Sequence, residues 1–152
     1  MAAPQNPLSP LNPLHQRQLL EIAIGAAWLD GTLAPSEIAY LKQLLHRYGM
    51  AHDEHLQSLL TGPVPVSDTN RRLLQFLDRT TAQEREIALA AVANTLFADA
   101  QIQPAERDFL DRFHLLMAQI PPDPEDHPSW LETLGKGVRQ VARRVAGWLQ
   151  PE

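Results

Sequence analysis

Four carboxylates at matched spacing are the residues of this chain best placed to do chemistry. Asp30-Gly31-Thr32-Leu33-Ala34-Pro35-Ser36-Glu37 is answered 69 residues later by Asp99-Ala100-Gln101-Ile102-Gln103-Pro104-Ala105-Glu106. In each copy an Asp and a Glu flank a tight corner, and their oxygens, with carbonyls and water, suit a hard divalent cation. Asp-Gly-x-Leu-x-x-x-Glu is also the latter half of an EF-hand calcium loop, whose earlier ligands fall four and two residues before the Asp. Those positions hold Ala26 and Trp28 in the first copy and Thr95 and Phe97 in the second, so an EF-hand is excluded. Two readings remain for Asp30 and Asp99. A carboxylate in the last turn of a helix opposes the macrodipole by a few tenths to about 1 kcal/mol. Either an Asx-type hydrogen bond to the turn backbone offsets that cost, or a cation held between the Asp and the Glu of one corner does.

Other constellations carry less. His52 and His55 sit three apart with His46 upstream, but this pairing lacks the ligand set of a known metal motif. There is no Gly-rich phosphate loop, Gly-x-Ser-x-Gly elbow or His-Glu-x-x-His, so the sequence reads as non-enzymatic. A helix-turn-helix DNA reader is disfavoured, because its second helix would offer only Lys42 and Arg47 from an acidic body.

The elements that must position the carboxylates follow from helical periodicity. Leu19, Leu20, Ile22, Ala23, Ala26, Ala27 and Leu29 predict a helix over about 14–29. Past the corner, Pro35 suits the first turn of a second helix and Glu37 falls at N3, where a carboxylate reaches back to free backbone N–H groups. Ile38, Leu41, Leu44 and Leu45 give that helix an inner face to about Arg47, and Gly49 ends it. A short acidic-started helix over 52–60 and a connector, Thr61 to Val66, follow. Ser67 or Asp68 then caps a helix bearing Leu73, Leu74, Phe76 and Leu77. Thr81 and Glu84 form a capping box for a helix through Leu96 into the second corner, and Pro104 opens another to about Ala118. Leu33 and Ile102 are expected as buried plugs in otherwise polar corners. The alanine-rich helices before the corners are expected to pack closely on each other.

The expected fold is thus all-α, six to seven helices in two repeat-related halves of about 14–60 and 67–119, within a domain spanning 14–120. Residues 1–13, with proline at every third position, read as an extended arm. Residues 121–128 read as a stiff acidic linker. Residues 129–152 read as a basic amphipathic helix with no counterpart in the repeat. There, Leu131, Leu134, Val138, Val141, Val145 and Trp148 share one apolar arc, and Lys136, Arg139, Arg143 and Arg144 fall outside it. These four cations and Trp148 are the candidate membrane- or partner-binding residues.

Composition sets the compartment. The 152 residues hold no cysteine and carry a formal net charge of −5. Residues 130–152 carry four basic and two acidic groups, which leaves −7 on the remainder. Such a body repels nucleic acid, and only the tail attracts an anionic surface. No secretory signal and no span of eighteen apolar residues is evident. A cytoplasmic protein, peripheral to the inner face of a membrane, is the expectation.

An alanine-rich helix, the acidic corner and a second helix, repeated after an intervening helical pair, together resemble the TerB-type domain of tellurite-resistance proteins. They are also similar to the N-terminal region of the membrane-anchored co-chaperone DjlA. Ala27-Trp28-Leu29-Asp30-Gly31-Thr32-Leu33 and Leu96-Phe97-Ala98-Asp99-Ala100-Gln101-Ile102, with Glu37 and Glu106, carry the resemblance across about residues 14–119. It implies a bacterial, non-catalytic helical module in a tellurite-type stress response, acting beside protein partners, including membrane proteins. It also implies a divalent cation as candidate cofactor, with Asp30, Glu37, Asp99 and Glu106 as the matching residues. Ala100 departs from the usual glycine. Nothing in the sequence matches a DnaJ-type module, so co-chaperone activity does not carry over.

Overall fold

The computed structural model describes residues 11–98 and 102–119. Every element in them is helical: α1 (Pro13–Ala27), α2 (Pro35–Arg47), α3 (Glu54–Thr61), α4 (Val66–Asp78), α5 (Ala82–Phe97) and α6 (Pro104–Gln119). The expected seventh helix, 129–149, lies outside the described residues.

A helix that is apolar all round must be covered all round. Leu19, Leu20, Ile22, Ala23, Ile24, Gly25, Ala26 and Ala27 of α1 are all buried. Accordingly α1 is the hub, touching each of the other five helices and packing most extensively on α4 and then α5. The alanine-rich helices α1 and α5 do pack together, but α4 is the larger neighbour. The reason is Gly25. A Cβ there would lie 2.0 Å from Thr69 Oγ1, so only glycine lets α4 approach this closely.

Helix starts and stops follow the local chemistry. Asp53 caps α3 by accepting from Leu56 N–H at 3.0 Å, and Thr81 and Glu84 close the expected capping box, with Thr81 N–H donating to Glu84 Oε1 at 2.9 Å. Gly31 ends the turn after α1 at φ +88°, and Gly49 follows α2 at φ +70°. Both angles lie in the left-handed region open to glycine. His15 then ties three elements at one end of the bundle: its Nδ1 lies 2.8 Å from Glu84 Oε2, and its ring meets Phe76 edge-on.

Three expectations need correction. The fold begins before residue 14: Leu11 is buried, and Asn12 caps α1 by accepting from His15 N–H at 2.8 Å, so 11–13 belong to the domain rather than to an arm. Neither Ser67 nor Asp68 caps α4. The helix starts at Val66 after Pro65, and Asp68 instead sits in the first turn, paired with Arg71 at 2.8 Å. Leu33 and Ile102 are half-buried at the edge of the core, because their corners run along its rim.

The α1–α4 contact makes a prediction that runs against helix propensity. Gly→Ala inside a helix ordinarily stabilises by up to about 1 kcal/mol. Here the clash with Thr69 reverses the sign, and Gly25→Ala is expected to destabilise by about 1 to 3 kcal/mol. Urea denaturation checks it, and pairing with Thr69→Ala should recover part of the loss.

Candidate functional site

The two Glu residues of the corners are built alike. Each stands at the third position of its helix and folds back on the residue before that helix. Glu37 Oε1 accepts from Ala34 N–H at 3.0 Å, and Glu106 Oε1 accepts from Gln103 N–H at 2.9 Å. One orphan donor at each helix start is thereby satisfied, and each carboxylate faces the positive end of its own helix. Ala34 has no side-chain oxygen to complete the reciprocal half of a capping box, so Glu37 alone holds that start.

Both Glu side chains are 2 % exposed. They point into the same part of the core, and their carboxyl groups meet, within reach of a hydrogen bond once one of them holds a proton. Glu37 Oε2 faces no donor. Burial pushes the Glu37 carboxyl up to about 8, the Glu106 charge and a hydrogen bond to Glu106 add to the rise, and the Ala34 N–H opposes it. Two ionised carboxylates about 4 Å apart repel by roughly 4 kcal/mol at the effective dielectric of a protein. One proton, held by Glu37, converts that repulsion into an O–H···O⁻ bond to Glu106, the strong charge-assisted kind.

The sequence left two readings for Asp30, an Asx-type bond to its own turn or a cation held with Glu37 of the same corner. Asp30 is exposed and engaged in its own turn: Thr32 N–H donates to Asp30 Oδ1 at 3.0 Å, and Thr32 Oγ1 lies 3.3 Å from the same oxygen. The Asx-type bond is therefore present. Asp30 adds only a lesser electrostatic push on Glu37. The close pair is Glu37 with Glu106, across corners. Asp99 lies outside the described residues, as do Lys136, Arg139, Arg143, Arg144 and Trp148.

Among the described residues no three His, Asp or Glu side chains are grouped to hold a metal. His55 Nε2 lies 2.6 Å from Glu21 Oε2, so this histidine joins α3 to α1. Two oxygens from Glu37 and Glu106 could bind a divalent cation in place of the shared proton, with the remaining ligands from carbonyls or water.

One buried cation escaped the sequence reading altogether. Arg85, 1 % exposed, donates through Nε to Thr80 Oγ1 at 3.4 Å and through Nη2 to Leu77 O. It thereby satisfies a carbonyl at the end of α4 from the start of α5. In sequence it sits within Glu84-Arg85-Glu86 and looks like part of a solvated face.

The sign of the pH dependence follows from the raised Glu37 carboxyl. The folded state holds the proton more tightly than the unfolded chain, whose carboxyl titrates near 4.5. The stabilisation is therefore complete below that value and is lost as pH rises through about 8. Chemical denaturation between pH 5 and 9 should show stability falling across this window. Glu37→Gln keeps an acceptor for Ala34 N–H and offers an amide donor to Glu106. It should flatten the profile and be more stable than the wild type at pH 9. A wild-type profile that stays level from pH 5 to 9 would contradict the shared proton. Comparison with protein-family models, with curated proteins and with solved structures gives no match to this chain.

Proposed function

We propose that this chain is a non-catalytic, TerB-like binding or scaffold module of a bacterial stress response of the tellurite-resistance type, working in the cytoplasm at a membrane surface. In this reading its two halves are repeats of one unit, α1–corner–α2 and α5–corner–α6. Protein partners and an anionic membrane surface are the ligands, and Lys136, Arg139, Arg143, Arg144 and Trp148 provide the contact. The observation that carries it is the meeting of Glu37 and Glu106. Residues equivalent in the proposed repeat make the same backbone bond at the same helix position and converge in the core. That supports a duplicated unit with the acidic corners of the resembled family. No helix among the described residues is long and apolar enough to cross a membrane, which is compatible with peripheral attachment.

Deleting the gene in its native host tests this reading. The deletion strain should become more sensitive to tellurite, and both the wild-type gene and Gly25→Ala at permissive temperature should restore growth. Unchanged sensitivity would count against a tellurite-type role.

A second reading is favoured by one atom, Glu37 Oε2, a buried carboxylate oxygen without a donor. In it the corners are a divalent-cation sensor, with Glu37 and Glu106 as the inner ligands and Asp30 and Asp99 as the outer acidic groups. A cation competes with the shared proton, so its effect must grow with pH. Thermal melts with calcium, magnesium, manganese or zinc at pH 6 and pH 9 test it. An ion at a hundredfold excess over its Kd stabilises by about 2.7 kcal/mol. The sensor reading expects that gain at pH 9, a smaller one at pH 6, and none in Glu37→Gln with Glu106→Gln. Equal midpoints with and without each ion at pH 9 would sink it.

A further inference from the structure

One face of α5 is bare where the equivalent face of α1 is covered. On α1, the residues at steps of four, four and three all engage α3 or α4. Arg17 donates to both Asp53 oxygens at 3.1 and 3.2 Å, Glu21 meets His55 at 2.6 Å, Gly25 abuts Thr69, and Trp28 Nε1 donates to Leu59 O at 2.9 Å. The positions 69 residues later are Glu86, Ala90, Asn94 and Phe97. All four are exposed, Phe97 by 62 %. Three of them line a groove of about 310 Å³ between α5 and α2, floored by Tyr40, Leu44 and Ile87.

We infer that residues 129–149 of this chain fill that groove as a helix, packing on α5 as α4 packs on α1. This rests on the repeat relation proposed above. The inward residues Thr69, Leu73 and Phe76 of α4 are spaced four and three. Leu134, Val138 and Val141 repeat that spacing.

Reach and direction agree. Thr69 against Gly25 and Phe76 against His15 make α4 antiparallel to α1. A matching helix on α5 must start beside Phe97. Since α6 returns along α5, Gln119 lies near the other end, and the connection has to span the 16 residues of α5, about 24 Å at 1.5 Å per residue. Residues 120–128, with proline at 121, 122, 124 and 128, reach about 28 Å at the polyproline rise. The charges also agree, since Glu86 stands at the groove edge facing a segment with four cations. Gly135, Gly137 and Gly147 weaken the isolated helix, so docking and helix formation are coupled. The same apolar arc cannot lie in the groove and in a bilayer at once, so docking and membrane binding exclude each other.

The absence of cysteine makes a crosslink test clean. Aligning Thr69 with Leu134 places Val138 opposite Ala90. In the full chain, Ala90→Cys with Val138→Cys should form an intramolecular disulfide at least about tenfold faster than Ala90→Cys with Lys136→Cys, because only the first pair comes within bonding geometry. Hydrogen exchange should show protection of 129–149 that Ala90→Arg removes. Equal rates for the two pairs, or crosslinks formed chiefly between chains, would overturn the proposal, the latter assigning the groove to a second copy. Flotation with vesicles of anionic phospholipid is read separately. If the reduced pair floats, the oxidised pair should not, and flotation of both would also overturn it. If neither floats, the membrane role fails while the crosslink still decides the docking.

Discussion

Two buried carboxyl groups that converge from different corners, where burial pushes Glu37 up to about 8, set the terms for the rest of this structure. A carboxylate at the third position of a helix is an ordinary cap, exposed and worth about a kcal/mol. Here both caps are driven into the core, where charge is expensive unless it is paired or neutralised. Each Glu is held from behind by a backbone N–H, Ala34 or Gln103, so neither can swing out to solvent without losing the start of its helix. The corners therefore fix the two side chains, and the side chains fix the corners against each other. Whatever neutralises the pair also holds α2 against α6.

The remaining contacts support that arrangement. Apolar around its whole circumference from Ile22 to Ala27, α1 is an axis on which both corner hairpins and α4 are packed. At the end of the bundle opposite the corners, His15 joins α1 to Glu84 of α5 and to Phe76 of α4. Arg85 joins α5 to the end of α4. The two ends are thus built from different chemistry. One is a carboxyl pair that needs a proton or a cation, and the other is a set of charge-assisted bonds already satisfied.

Much of this was legible in the sequence because it depends on local rules. The six helices follow from apolar spacing of three and four, the corners from glycine and proline, and the Asx bond of Asp30 from its place before Thr32. What was not legible depends on which distant residues meet. Periodicity says that Glu37 starts a helix whose inner face is Ile38, Leu41 and Leu45, but not that Glu106 waits on the far side. The available signal was the matched spacing of the two corners, which puts a Glu at the third position of both α2 and α6. Arg85 was missed because a cation between two glutamates looks solvated until the helix before it is placed. Leu11 was missed because its proline-rich surroundings mask a single buried anchor.

The most direct measurement is the titration of the two carboxyl carbons by NMR, with Glu37 and Glu106 labelled and assigned. Sharing of one proton predicts that the pair loses its first proton early and holds its second to near pH 8, with both signals reporting the later step because the two sites are coupled. Two independent titrations near the ordinary glutamate value of about 4.3 would contradict the account. The carboxyl groups would then be solvated caps, and the convergence of the corners would need another cause.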